Sequence, residues 1–194
     1  PQRIEAYDIS NIQGVDSVGT MIVFEEGRAK NSDYRRFKIK TVKGANDYDS
    51  MREILTRRFN HGLDEIKAIQ QRDLKLSAGK FSTFPDLIMM DGGKGQVNVA
   101  LEVLQSLNID IPVCGLVKDD KHQTRALMDE NRNELEISQN LMNVITQFQD
   151  TVHDTAITYH RKLRDKSITK SKLDDIPGVG EVKKKELLKY FGSV

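Results

Sequence analysis

The chain has 194 residues, enough for one substantial core and a small appendage. Hydrophobic residues make up 38% and charged residues 30%, a water-soluble balance, and no stretch approaches the roughly 18 apolar residues of a membrane span. The net charge of +1 hides an asymmetry: from Arg161 to Val194 ten Lys/Arg face five Asp/Glu, the first hint of a polyanionic partner.

The N-terminus lacks a signal-peptide pattern and begins almost directly on a strand without an initiator methionine, which reads as a piece of a longer protein. "RIEAYDIS" (3–10) is a strand, "SVGTMIVFEEG" (17–27) a second closed by a Glu-Gly turn, and "AKNSDYRRFKIK" (29–40) a third. In the third, Phe37 and Ile39 face one way while Arg36 and Lys38 face the other. Short links between them predict an antiparallel meander.

"NDYDSMREILTRRF" (46–59) changes period to a helix, with Met51, Ile54, Leu55, Arg58 and Phe59 on one stripe and Asn46 or Asp47 as its cap. Residues 60–83, with Gly62 and Gly79, read as a polar insertion, mobile or partly helical, outside the core. A buried strand (86–90) follows, then the helix "GQVNVALEVLQSLNI" with Val97, Ala100, Leu101 and Leu104 inward, then the strand "PVCGLV" (112–117). Its Cys114, the single cysteine, lies in an apolar run and reads as a buried structural thiol; one cysteine forms no internal disulfide and suits a reducing cytoplasm. "KDDKHQT" is a polar loop and "RALMDENRNELEI" a weak hairpin. A long helix carries Val144, Ile145, Phe148, Val152 and Tyr159 on its core stripe. This order predicts an α/β fold, a mixed sheet flanked by helices, over residues 1–165. A linker (166–172) and a compact helical element (173–194) complete the chain.

Two apolar strands each deliver a carboxylate at their end: Asp8 after "IEAY" and Asp91 after "LIMM". Alone, either is a turn former or a cap. As a pair on neighbouring strands they point to a divalent cation held by hard oxygen ligands. "DGGKGQ" lacks the spacing of a P-loop, but its glycines let backbone approach an anion at a helix start. Lys94 there opposes the helix dipole, so it either meets a phosphate or is a solvated surface lysine. His153 and His160, seven apart, share one helix face. Either is a satisfied helical histidine or, if it reaches Asp8 and Asp91, a general base or metal ligand.

"IPGVGEVKKKELLKYFG" (176–192) describes a tight hairpin between helices. Either this is an ordinary αα turn with a solvated lysine face or, as the excess positive charge favours, Gly178 and Gly180 expose backbone N–H groups to phosphate and Lys183, Lys184 and Lys185 add charge that reads backbone rather than bases.

"YDISNIQG", "YRRFKIK", "NDYDSMREIL", "DLIMMDGGKGQ", "GLVKDDKH", "DTVHDTAITYHR" and "IPGVGEVKKKELLKYFG" occur in the order found in the C-terminal half of UvrC, the nuclease subunit of bacterial nucleotide excision repair. The resemblance covers nearly the whole chain. It implies a ribonuclease H-like fold followed by helix-hairpin-helix motifs, of which only one is seen here. It implies catalytic roles for Asp8, Asp91 and His153, the last replacing a carboxylate, and a further acidic role for Asp47. Thr151 stands where the family often has glutamate. The implied activity is Mg²⁺- or Mn²⁺-dependent hydrolysis of one DNA phosphodiester on the 5′ side of a lesion. Asp8 and Asp91 would be the metal ligands, with Lys94, Lys118 and Lys121 as phosphate contacts. The implied partners are damaged double-stranded DNA, UvrB through a segment outside this chain, and UvrA indirectly, with no membrane. Rival readings are a DNA-binding scaffold without cleavage and a nuclease of RNA–DNA hybrids. A phosphate-loop nucleotide binder is the weakest, since it leaves His153 and the C-terminal hairpin idle.

Overall fold

The computed structural model describes residues 1–12, 15–121, 124–131, 133–173 and 183. The chain divides into two units, Pro1–Ala156 and Ile157–Val194. In the first, β1 (Arg3–Ile12), β2 (Val15–Glu25), β3 (Arg28–Ala29) and β4 (Arg35–Lys38) come before α1 (Asp47–Gln71). Then follow β5 (Leu87–Met90), α2 (Lys94–Ser106), β6 (Val113–Lys118), β7 (Thr124–Met128), β8 (Glu134–Leu135) and α3 (Gln139–Leu173), whose residues from Ile157 onward belong to the second unit.

The strands form one eight-stranded mixed sheet in the order β3-β2-β1-β5-β6-β7-β8, with β4 also paired to β2. The expected meander is present as β1, β2 and β4, all antiparallel, while β1, β5 and β6 run parallel. Parallel strands need a crossover element, and α1 and α2 supply it.

The pleat sorts side chains onto two faces. Tyr7, Ile9, Met21, Val23, Phe37, Ile88 and Met90 pack with Met51, Ile54, Leu55 and Phe59 of α1 and with Val97, Ala100 and Leu104 of α2. Ala6, Ile22, Phe24, Met89, Cys114 and Leu116 pack on the other face with Ile145, Phe148 and Val152 of α3. Both faces of β5 are therefore covered, which is why "LIMM" is a continuous apolar run rather than an alternating one. Burial raises the Cys114 thiol to about 11, in keeping with a structural role.

Two expectations need correction. The reading of residues 60–83 as partly helical holds for 60–71, where α1 continues to Gln71, but not their place outside the core, since Gly62 and Ile69 are buried. A Cβ at Gly62 would collide with the Phe84 ring and the Phe81 carbonyl, so the absence of a side chain lets the loop after α1 pack onto it. Arg58 fastens the same loop. It donates to the Phe81 and Thr83 carbonyls at 2.7 and 2.9 Å and pairs with Glu5 at 2.8 Å, both side chains being buried. Val144 is 40% exposed rather than core, since the inward stripe of α3 is Ile145, Phe148 and Val152 and Val144 sits at its rim. The Tyr159 side chain lies outside the described ones.

Candidate active site

β1 and β5 are parallel neighbours, with Tyr7 opposite Met90. The Asp91 N–H donates to the Tyr7 carbonyl at 3.0 Å, so the ladder runs one step past the strand. That step brings Asp8 and Asp91 side by side. Residues in register share a face, and Ala6 and Met89, two positions back on each strand, both face α3. Both carboxylates therefore open onto the α3 side. The pairing expected from two strand-end aspartates is present.

Asp91 is held from two directions. Lys118, at the end of β6, brings its ammonium to 3.0 Å from Asp91 Oδ1. Gln149 of α3 donates from Nε2 to the same oxygen at 3.2 Å and accepts at Oε1 from the Thr124 hydroxyl of β7 at 2.6 Å. Among the described residues, no lysine or arginine pairs with Asp8 in this way. Burial, and next the negative charge of Asp91, raise its carboxyl to about 7, against the opposing pull of Lys118 and the Ile9 amide; Asp47 adds a smaller upward push.

Asp47 is half-buried at the first turn of α1, where Asn46 is the cap and accepts from the Asp49 amide. It lines a cleft of about 520 Å³ with Asn46, Tyr48, Gly93, Lys94 and Gln96. Lys94 is exposed in the first turn of α2. Lys121 is exposed in the loop after β6, its amide donating to Asp119 Oδ1 at 2.9 Å. His153 is exposed on α3, one turn beyond Gln149. Among the described residues, no three His, Cys, Asp or Glu side chains lie close enough to hold a metal ion together. Asp8 and Asp91 thus meet, while His153 does not join them in a ready-made ligand cluster. Thr151 donates its hydroxyl to the Gln147 carbonyl at 2.7 Å, along its own helix. Lys183 is exposed. Gly178, Gly180 and Lys184 lie outside the described residues.

Gln149 was not anticipated from sequence. Its signal was its position four residues before His153, on the same side of the helix, beside the apolar stripe.

The donor set fits a hard divalent cation. Burial, and then the charge of Asp91, hold the Asp8 carboxyl near 7, and among the described residues the cation paired with these two carboxylates is Lys118 at the site's edge, so a divalent ion would relieve charge that the site leaves unanswered.

Residues 1–157 match the family model of the UvrC RNase H endonuclease domain. The chain belongs to that family. Across its full length it is 70% identical to the UvrABC system protein C of Clostridium acetobutylicum and to that of Clostridium novyi, and 66% identical to that of Clostridium tetani. It spans about 31% of the length of each of these curated relatives. The mixed α/β sheet with its flanking helices is accordingly the RNase H-like endonuclease fold of the UvrC domain. Among the described residues, no helix is long and apolar enough to cross a membrane.

Proposed function

We propose that this chain is the part of a cytoplasmic repair nuclease that cuts one DNA phosphodiester on the 5′ side of a lesion, using Mg²⁺ or Mn²⁺. The observation that carries the reading is the adjacency of Asp8 and Asp91 on one face of a UvrC-family endonuclease domain. Asp8 and Asp91 are the residues that would hold the cation. When bound, it supplies charge neutralisation at the attacked phosphate and acidity to an attacking water. Gln149 keeps Asp91 oriented through its amide and, through Thr124, ties that orientation to β7. Lys118, which pairs with Asp91 at 3.0 Å, would contact the scissile phosphate with a cation bound to that carboxylate in its place. Lys94 and Lys121 contact flanking phosphates, and Asp47 adds negative charge beside the pair. His153, exposed on α3 one turn beyond Gln149, would take a proton from the water or complete the ligand set.

In the full-length protein, damage-loaded UvrB would bring the DNA, with UvrA acting before it. Residues Gly178, Gly180, Lys183 and Lys184 would grip the backbone of the duplex. The test is reconstituted incision of a lesion-bearing duplex by the full-length protein carrying Asp8→Ala. The 5′ cut is lost while the 3′ cut, made by another domain, and DNA binding persist. A 5′ cut by Asp8→Ala at the unmutated rate would overturn the reading.

A further inference from the structure

The register that joins Asp8 to Asp91 continues across the sheet in the other direction. Asp8 pairs with Thr20, and Thr20 pairs with Arg36. Since paired residues share a face, Asp91, Asp8, Thr20 and Arg36 form one row on the α3 side. The alternation of β4 supports this: Phe37 and Ile39 are buried toward α1 and α2, so Arg36 and Lys38 are turned the other way, and both are exposed. Strands lie ~4.8 Å apart, so Arg36 stands roughly 10 Å from Asp8, about three times the ~3.4 Å rise of one nucleotide. Lys38, two residues along, lies a further ~6.6 Å away along the strand.

We propose that Arg36 and Lys38 are a backbone-binding track for the strand being cut, taking phosphates about two to five nucleotides from the scissile one. An edge strand with two cations on the catalytic face fits a nucleic-acid backbone, which presents negative charge at a regular spacing. The proposal rests on the nuclease reading above. Its test compares Arg36→Gln/Lys38→Gln with Lys67→Gln, an exposed cation on α1 across the sheet, in the full-length protein. The double variant raises the KM for DNA about fivefold to tenfold, leaves kcat within twofold, and makes the salt dependence of binding shallower by about two charges. Lys67→Gln changes none of these. If the unmutated protein cuts but the double variant keeps its KM and salt slope, or Lys67→Gln matches it, the track is overturned while the nuclease reading stands.

A second observation carries its own inference. Thr20 is 0% exposed, and its hydroxyl has no hydrogen-bond partner among the described residues. Such groups are uncommon because burial strips their water. Directly opposite residues hold their Cβ atoms about 4.5–5.5 Å apart, which puts the Asp8 carboxyl within a side-chain rotation of the orphan hydroxyl. The geometry points to Thr20 as a positioning residue that donates to Asp8 when that carboxylate turns to bind a cation. Mn²⁺ titration of the chain distinguishes this from a packing role. Thr20→Val weakens Mn²⁺ binding about fivefold to tenfold without lowering the unfolding midpoint, and Thr20→Ser restores it to within twofold. Unchanged Mn²⁺ affinity in Thr20→Val would overturn the assignment.

Discussion

The Lys118 ammonium stands 3.0 Å from Oδ1 of Asp91, where it answers the charge of that carboxylate, while burial and the charge of Asp91 outweigh its pull on the neighbouring Asp8 and hold that carboxyl near 7. Lysine and a divalent cation therefore compete for the same oxygen. Removing the lysine makes the site more attractive to metal and less attractive to phosphate. Lys118→Gln is expected to tighten Mn²⁺ binding about tenfold in the absence of DNA, an effect of the size of one near charge. The same variant should slow 5′ incision by at least that factor. Calorimetry and single-turnover incision check the two halves, and weaker metal binding would contradict the competition.

Asp8 also makes stability depend on pH. Its folded carboxyl titrates near 7, against about 3.9 in an unfolded chain. Between those values the folded protein keeps a proton that the unfolded chain has released, so stability falls as pH rises through the window and levels above it. Asp8→Asn lacks this penalty. Urea unfolding with chelator present should show the variant gaining on the unmutated protein from pH 4 to pH 7, then holding a constant lead. Parallel curves would mean that Asp8 is not the group under strain.

Gln149 ties α3 to the sheet through both Thr124 and Asp91. Gln149→Leu removes two part-buried hydrogen bonds, at a cost of about 1–3 kcal/mol in stability. A larger effect is expected on incision, because Asp91 loses the contact that fixes its orientation; about tenfold or more is anticipated. Circular dichroism melts beside incision rates separate the two. Loss of stability alone would make Gln149 structural.

On the opposite face, Arg58 and Glu5 form a buried pair. Arg58→Met leaves the buried Glu5 carboxylate with only the Tyr7 hydroxyl at 2.6 Å and Arg3 at 3.5 Å among its described partners, and frees the Phe81 and Thr83 carbonyls, so it should cost about 3 kcal/mol. Adding Glu5→Gln to that variant should recover part of the loss. Chemical denaturation of the single and double variants measures it, and an equal loss in both would refute the account of the pair.

The carboxylate pair was legible because each aspartate ends an apolar strand, and strand ends are where a sheet presents side chains to a site. The extent of α1 was not, because polar residues and Gly62 mask the period that Ile69 completes in three dimensions. The α3 stripe was read one residue too wide at Val144, since a rim position and a core position differ by one step of 100°. Register was invisible as well. That Thr20 and Arg36 lie on the row of Asp8 depends on how β1, β2 and β4 align, which alternation within each strand does not fix. Lys118 and Lys121, three apart in one polar run, looked equivalent; only Lys118 lies in β6 and reaches Asp91.

The central claim is that Asp8 and Asp91 jointly hold one divalent cation. Mn²⁺ titration at pH 8, followed by the loss of its free electron-spin signal, tests it on the unmutated chain, Asp8→Asn and Asp91→Asn. The account predicts one saturable site in the unmutated chain, weakened at least a hundredfold in each variant. Equal Mn²⁺ affinity in all three proteins would contradict it.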